Sequence, residues 1–396
     1  MIARRTIALA VLLASLAGCD EVGEVLTSRP PPGGDSGPPE DAASAPGFSL
    51  AAGFGHTCAI VRGELYCWGD NADGQLGTGD QASRLQPARI GTASDWVQVV
   101  AGTRASCARR AGGSVWCWGG NAWGQLGVGD FLPHGEPAFV SLPASAAHVA
   151  LNHDTACAVL TTGALYCWGK NDEGQLGQND VYPGADSAAP LAVSAEASFR
   201  TVDTGQGHTC AIRTDGTLWC WGRNTTGQCG LGPEARMQLR APVEVGGSDW
   251  ASLHAGQDHT CALKIDKSLH CTGSGQFGQL GSGTRDDHFT FDRIGDAPWD
   301  AFATNTFSSC GVRGGGALYC TGRNIEGQLG TGDLDDRTVP EFLSDEGWSL
   351  VAAGRFFDCA ARRDQSVACT GENAAGQLGT GDLERRNRFT NVLFTP

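Results

Sequence analysis

The chain of 396 residues carries a formal net charge of −15 and contains 58 glycines and 16 cysteines. Such an excess of carboxylates repels phosphate backbones, so nucleic acid is not an expected partner. The excess lies in the body of the chain: Asp20 to Gly47 contributes about −5 and the residues from Phe48 onward about −12, offset by Arg4 and Arg5.

Residues 1–18 read as an export signal: a basic start at Arg4 and Arg5, an apolar run from Ile7 to Leu16, then Leu16-Ala17-Gly18-Cys19. The tetrapeptide resembles a bacterial lipobox, which implies that Cys19 becomes an acylated N-terminus and anchors the chain to a membrane without a spanning helix. An ordinary signal peptide with a chance cysteine is the alternative. The expected location is the extracytoplasmic side of a bacterial envelope, with the choice of inner or outer membrane open. Residues 19–47, rich in Pro, Gly and small polar residues, lack the apolar side chains to fold and read as a tether.

From Phe48 to Pro396 a unit of about fifty residues recurs seven times, each with a cysteine pair: Cys58 and Cys67, Cys107 and Cys117, Cys157 and Cys167, Cys210 and Cys220, Cys261 and Cys271, Cys310 and Cys320, Cys359 and Cys369. The first unit shows the strand pattern. Phe48–Ala52 leads through a glycine corner to residues 57–61, a tight turn at Arg62-Gly63 leads to residues 64–68, and a glycine-rich loop precedes a last strand near residues 87–90. Short strands at regular spacing with glycine and aromatic signatures predict an all-β seven-bladed propeller of four-stranded antiparallel blades. The last residues, Phe389 to Phe394, match the strand that precedes the unit's first one, so they are expected to join the first blade and close the ring.

A two-residue hairpin at Arg62-Gly63 places Cys58 opposite Cys67 on a non-hydrogen-bonded pair, where alpha carbons approach to about 4.5 Å and a disulfide fits. The six wider pairs meet in the same way across a three-residue loop such as Ala111-Gly112-Gly113. Outside the cytoplasm such pairs oxidise, giving one bridge per blade on the side away from the variable loops. Zinc ligation needs tighter spacing and more histidine, and no metal is expected. Cys229, in the leucine position of Gly227-Gln228-Cys229-Gly230, reads as a buried apolar residue. His56, His208 and His259 precede their cysteines by two residues but are replaced elsewhere by Ala105, Thr155, Ser308 and Phe357, which favours a structural role. Asn71, Asn121, Asn171, Asn224, Asn324 and Asn373 are suited to holding turns.

The recurring text from Gly55-His56-Thr57-Cys58-Ala59 through Cys67-Trp68-Gly69-Asp70-Asn71-Ala72-Asp73-Gly74-Gln75-Leu76-Gly77-Thr78-Gly79-Asp80 resembles the repeat of the regulator of chromosome condensation family. The resemblance runs from Phe48 to the C-terminus and implies a seven-bladed propeller. It also brings two activities known among similar proteins. Guanine-nucleotide exchange on a small GTPase would need a cytosolic or nuclear location, which the cysteine pairs and Cys19 oppose. Inhibition of an envelope enzyme, as by a propeller inhibitor of beta-lactamases, fits the location.

Chemistry is sparse. There is no phosphate loop, nucleophile elbow or metal-ligand spacing, so neither an enzyme nor a cofactor is expected. Asp73, Glu173 and Glu326 are carboxylates that a polysaccharide-acting site would require. Strand parity puts the corners after first strands and the loops after third strands on one face, which collects unlike side chains. Phe54, Arg104, Trp123, Phe277, Phe307 and Phe356 are the residue types that dominate interfaces, so this face is expected to bind a protein or peptide and the chain to act as a monomeric scaffold.

Overall fold

The Arg62-Gly63 turn sets the register of the first blade. Val61 pairs with Glu64 and Cys58 with Cys67, and both turn residues have positive φ (54° and 81°), as a two-residue hairpin matched to strand twist requires. In a computed structural model, residues 47–179, 184–194 and 198–394 are described. The signal, Cys19 and nearly all of the tether lie outside that range.

The described residues form seven four-stranded antiparallel sheets, each in simple sequence order, with no helix among them. Blade 1 consists of Phe48–Ala52, His56–Val61, Glu64–Gly69 and Arg84–Arg89. Its inner three strands fall within a residue of the sequence expectation, while the outer one begins three residues earlier. The wider hairpins close as expected, with Gly113 donating to Arg110 O across the turn at 2.8 Å.

All seven cysteine pairs are disulfides with alpha carbons 4.1 Å apart, directly opposite one another on the second and third strands. Cys58 bonds to Cys67, Cys107 to Cys117, Cys157 to Cys167 and Cys210 to Cys220 in blades 1 to 4. Cys261 bonds to Cys271, Cys310 to Cys320 and Cys359 to Cys369 in blades 5 to 7.

The position of these bridges corrects the sequence expectation, which put them on the hairpin side away from the variable loops. Cys58 and Cys67 form the fourth of six pairs from the turn and are fully buried in the core between blades 1 and 2. Cys117 and Cys220 depart from it in the same way. Each forms with its partner, Cys107 or Cys210, the third of five ladder pairs from the turn, in mid-strand instead of at the rim. Both are fully buried, Cys117 in the core that blade 2 shares with Val149 and Trp168 of blade 3, and Cys220 in the core that blade 4 shares with Leu253 and Ala262 of blade 5. The tight turn fixes which residues meet, but the strand continues beyond them and neighbouring blades cover the pair.

Blades adhere through a repeated seam. Trp118, Trp168 and Trp221 donate their indole N–H to the carbonyls of Gln75, Gln125 and Gln175 in the preceding blade at 2.8–2.9 Å. The glycine closing each loop must be small: a Cβ on Gly77 would stand 2.8 Å from the Trp118 nitrogen. In blades 5, 6 and 7 the indole is replaced by Thr272, Thr321 and Thr370, whose hydroxyls donate to Gly227, Gly278 and Gly327 carbonyls. Phe291 and Phe389 from outer strands, and Pro340, fill the vacated space.

Ring closure departs from expectation. The last strand, Arg386–Asn391, pairs with Val367–Gly371 of its own blade and does not join blade 1. The seam instead repeats the ordinary one, with Trp68 Nε1 donating to Gln377 O at 3.0 Å and Thr57 Oγ1 to the same carbonyl at 2.8 Å. From the last described residues, the Phe394 side chain crosses to blade 1, standing edge-on to Tyr66 and Trp68 at 5.7 and 5.8 Å.

Candidate functional site: the loop-rich face

Each first strand runs from the hairpin face toward the opposite face, where a glycine-containing corner turns the chain into the second strand. Backbone bonds tie these corners into a collar: Phe54 N donates to Gly102 O, Thr103 N to His153 O, Gln257 N to Asn305 O and Arg355 N to Gly53 O. The collar fixes side chains from neighbouring blades in a set order, and the loops after third strands flank them.

The six residues expected to contact a partner all lie on this face, in two chemically different sectors. Across blades 5 to 7, Phe277 packs against Phe307 with centroids 5.0 Å apart, and Phe307 stacks on Phe356 at 6.0 Å. The Arg323 guanidinium lies among all three rings, 5.7, 5.0 and 5.2 Å from their centres. Arg355 extends the series, 4.7 Å from Phe356 and 4.9 Å from Phe54. Such contacts favour a cation over a ring face but leave its charge unneutralised. Neither guanidinium forms an ion pair with a described residue, and Arg355 Nε has no hydrogen-bond partner. Glu372 approaches Arg355 without pairing, and its carboxyl is held above the usual range by burial and by Glu326.

Blades 1 to 4 behave differently. Arg104 pairs with Asp73 at 3.5 Å, Lys170 with Asp172 at 3.0 Å, and Arg223 with Asp258 at 2.9 Å. Trp123, 40% exposed, carries the Lys170 ammonium over its ring at 5.0 Å. Phe54 is half-buried and its role is divided: it meets His153 of blade 3 edge-on at 4.8 Å, a contact between blades two apart that narrows the channel mouth. The carboxylates considered for polysaccharide chemistry are engaged elsewhere, Asp73 by Arg104, Glu326 by Arg385, and Glu173 by the Gln238 amide.

The histidines before the cysteines are structural. His56, His208 and His259 are buried, and each Nε2 meets a hydroxyl of the next blade, Ser106, Thr260 or Ser309, at 2.8–3.2 Å. Burial lowers their pKa values to about 4, 3 and 4, so they are neutral at physiological pH. Cys229 is buried, and burial pushes its thiol pKa up, which fits the leucine role. The asparagines hold turns as expected, each accepting from the backbone N–H of the residue five positions on, as in Leu76 N to Asn71 Oδ1 at 3.0 Å. Sequence reasoning missed Arg323 and Arg355. The available signal was that arginine stands beside the phenylalanine-bearing corners at one position otherwise variable in charge (Asp70, Gly120, Lys170, Arg223, Ser274, Glu372) and at one that holds no Asp, Glu, Lys or Arg in the other repeats (Phe54, Thr103, His153, Gln206, Gln257, Thr306).

This architecture is matched by known proteins. The model of the regulator of chromosome condensation (RCC1) repeat matches residues 62–109, 112–159, 162–212, 215–263 and 315–361. The chain therefore belongs to the RCC1 repeat family of β-propellers. Among curated relatives, the ultraviolet-B receptor UVR8 of Arabidopsis thaliana is 30% identical over 60% of this chain and 56% of its own length; mouse RCC2 is 38% identical over 22% of this chain and 18% of its own. The matched region thus spans little more than half of the first relative and less than a fifth of the second. The structure of yeast RCC1 (Prp20) bound to Kap60 superposes with a TM-score of 0.75 at 20% identity, covering 84% of each chain. Human WBSCR16 superposes at 0.74 and 21% identity, covering 84% of this chain and 94% of its own.

Proposed function

We propose that this propeller is a binding module of the bacterial cell envelope, anchored through Cys19, which engages a protein or peptide partner with its loop-rich face. The observation that carries the reading is the sector of Phe277, Phe307 and Phe356 interleaved with Arg323 and Arg355. An acidic protein has carboxylates to spare, and they neutralise Arg104, Lys170 and Arg223 in blades 1 to 4 and Arg285 and Arg385 in blades 5 to 7. Arg323 and Arg355 are set beside rings instead, which supplies flat apolar area with unspent positive charge, the composition of an interface anchor. That pairing favours a partner segment bearing acidic side chains. The lipobox and the seven disulfides support an exported location, and the fold is one that in yeast RCC1 has been crystallised with a bound protein.

The test is cross-linked affinity capture from detergent-solubilised envelopes, comparing the native chain with a variant combining Arg323→Gln, Arg355→Gln and Phe356→Ala. Partner recovery is expected to fall by about tenfold or more, since anchor residues of this kind contribute about 2 kcal/mol or more each. Recovery of the same partners at the same yield by a folded variant would remove this face from consideration.

A further inference from the structure

The central channel is narrowed at its loop-rich end. Three contacts there join blades two apart in the ring: Phe54 with His153, Asn152 Nδ2 donating to Ala255 O at 2.9 Å, and Asn305 Nδ2 donating to Ala52 O at 3.4 Å. Beyond this constriction a cavity of about 380 Å³ lies between the first strands.

Its wall is largely apolar all round, with Phe302, Leu350, Val351, Phe48 and Leu50 from blades 6, 7 and 1, and its titratable groups, Arg109, His148, Asp203 and His254, stand among the valines and leucines of blades 2 to 5. Arg109 is the anomaly. The equivalent positions, two residues after the first cysteine of each pair, hold Ile60, Val159, Ile212, Leu263, Val312 and Ala361, all apolar. One blade in seven therefore puts a guanidinium where packing calls for a hydrocarbon.

A chain of hydrogen bonds holds it there. Arg109 Nε donates to Gln98 Oε1 at 3.3 Å, and the same oxygen accepts from Val149 N at 3.1 Å. Gln98 Nε2 meets Val149 O at 2.9 Å and His148 Nδ1 at 3.2 Å, while His148 Nε2 meets Val202 O at 3.1 Å. These partners are mutually consistent when His148 is neutral with its proton on Nε2. The guanidinium is then oriented by its Nε alone, and its two Nη groups make no hydrogen bond or ion pair with a described residue. The channel's acid, Asp203, is committed elsewhere, accepting from Thr204 N at 2.8 Å and Ala255 N at 3.0 Å beside His254.

We propose that this channel binds a small monocarboxylate with an apolar body, the carboxylate held by the Arg109 Nη groups and the body against Leu50, Phe302, Leu350 and Val351. A guanidinium presents two parallel donors that match a carboxylate. Asp203 in the same enclosed space disfavours a dianion such as phosphate. The site is separate from the loop-rich face and does not depend on the function proposed for that face.

Isothermal titration of the delipidated full chain with 3-phenylpropionate, its primary amide and inorganic phosphate tests this. Saturable binding of the carboxylate is expected, with the amide and phosphate weaker by about tenfold or more. Arg109→Leu, which installs the residue that blade 5 uses at this position, should weaken the carboxylate by about tenfold while keeping or raising the melting temperature. Arg109→Gln serves the same purpose should the leucine variant fail to fold. No saturable binding of 3-phenylpropionate, equal binding of the amide or phosphate, or undiminished binding by a folded Arg109 variant would each overturn the proposal.

Discussion

Asp358 stands in a position where blades 1, 2, 4, 5 and 6 carry Thr57, Ser106, Thr209, Thr260 and Ser309, each donating a hydroxyl proton to a glutamine carbonyl of the preceding blade at 2.8–2.9 Å. The carboxyl is buried, accepts from Ser308 Oγ at 3.1 Å and lies 3.4 Å from the Cys310 sulfur; burial raises its pKa to about 8. A folded-state pKa above the unfolded one means that folding takes up a proton. The stability it contributes is therefore complete below about pH 4 and is lost progressively as pH rises toward 8. Asp358→Thr restores the hydroxyl found in five of the other six blades and should stabilise the chain at pH 7 by about 2–4 kcal/mol, with the gain vanishing near pH 4. Denaturant titrations of both proteins across that range measure it, and a pH-independent difference would show that the carboxyl does not titrate as described. The substitution pattern was legible in the sequence, because aligning the repeats sets one acid against a column of hydroxyls. Its consequence was not, since the column's burial between blades is a tertiary fact.

Among elements, the cysteine hairpins were the most readable. A two-residue turn leaves one pairing register, so counting outward from Arg62-Gly63 assigns the bridge by geometry alone. Their assignment to the face away from the variable loops is what the structure corrects, for Cys117 and Cys220 as for Cys67, because counting gives partners along a strand but not how far the strand continues or what covers them. Each bridge spans nine or ten positions, and removing one pair with Cys157→Ala and Cys167→Ala should cost about 2–3 kcal/mol of loop-closure stabilisation plus the packing of two fully buried sulfurs. A shift of the denaturation midpoint reports this, and an unchanged midpoint would make the bridge dispensable to its blade. The outer strand of blade 7 shows a different failure. Arg386 follows Cys369 by 17 residues, as Arg84 follows Cys67, so the last unit already contained its own fourth strand. Complementary termini allow either an exchanged strand or an in-phase ring, and this repeated spacing distinguishes the two.

At the scale of the whole ring, seven similar seams share the work of closure, and the one between blades 7 and 1 is held by Trp68, Thr57 and the terminal side chains. Truncation after Asn391 removes Val392, which is buried against the blade 1 core, and Phe394, which bridges to Tyr66 and Trp68. The loss of apolar contact should lower stability by about 3 kcal/mol. A melting curve unchanged by truncation would mean that the strand-to-strand seam alone suffices. The candidate interface exists only at this scale, because Arg323 meets three phenylalanines from blades 5, 6 and 7, each unremarkable within its own repeat. Its members were therefore named by the sequence in part, while their association required the ring.

The burial of the disulfides has a kinetic meaning. None of the fourteen paired sulfurs belongs to a residue more than 4% exposed, so an external thiolate cannot reach one until its blade opens. Under excess reductant the rate of each reduction then becomes the rate of a local opening event, and the seven bridges serve as seven independent clocks distributed evenly around the ring. Mass spectrometry of timed alkylation would read them in order. The free thiol of Cys229, buried where its blade meets the next, supplies an eighth that needs no reductant.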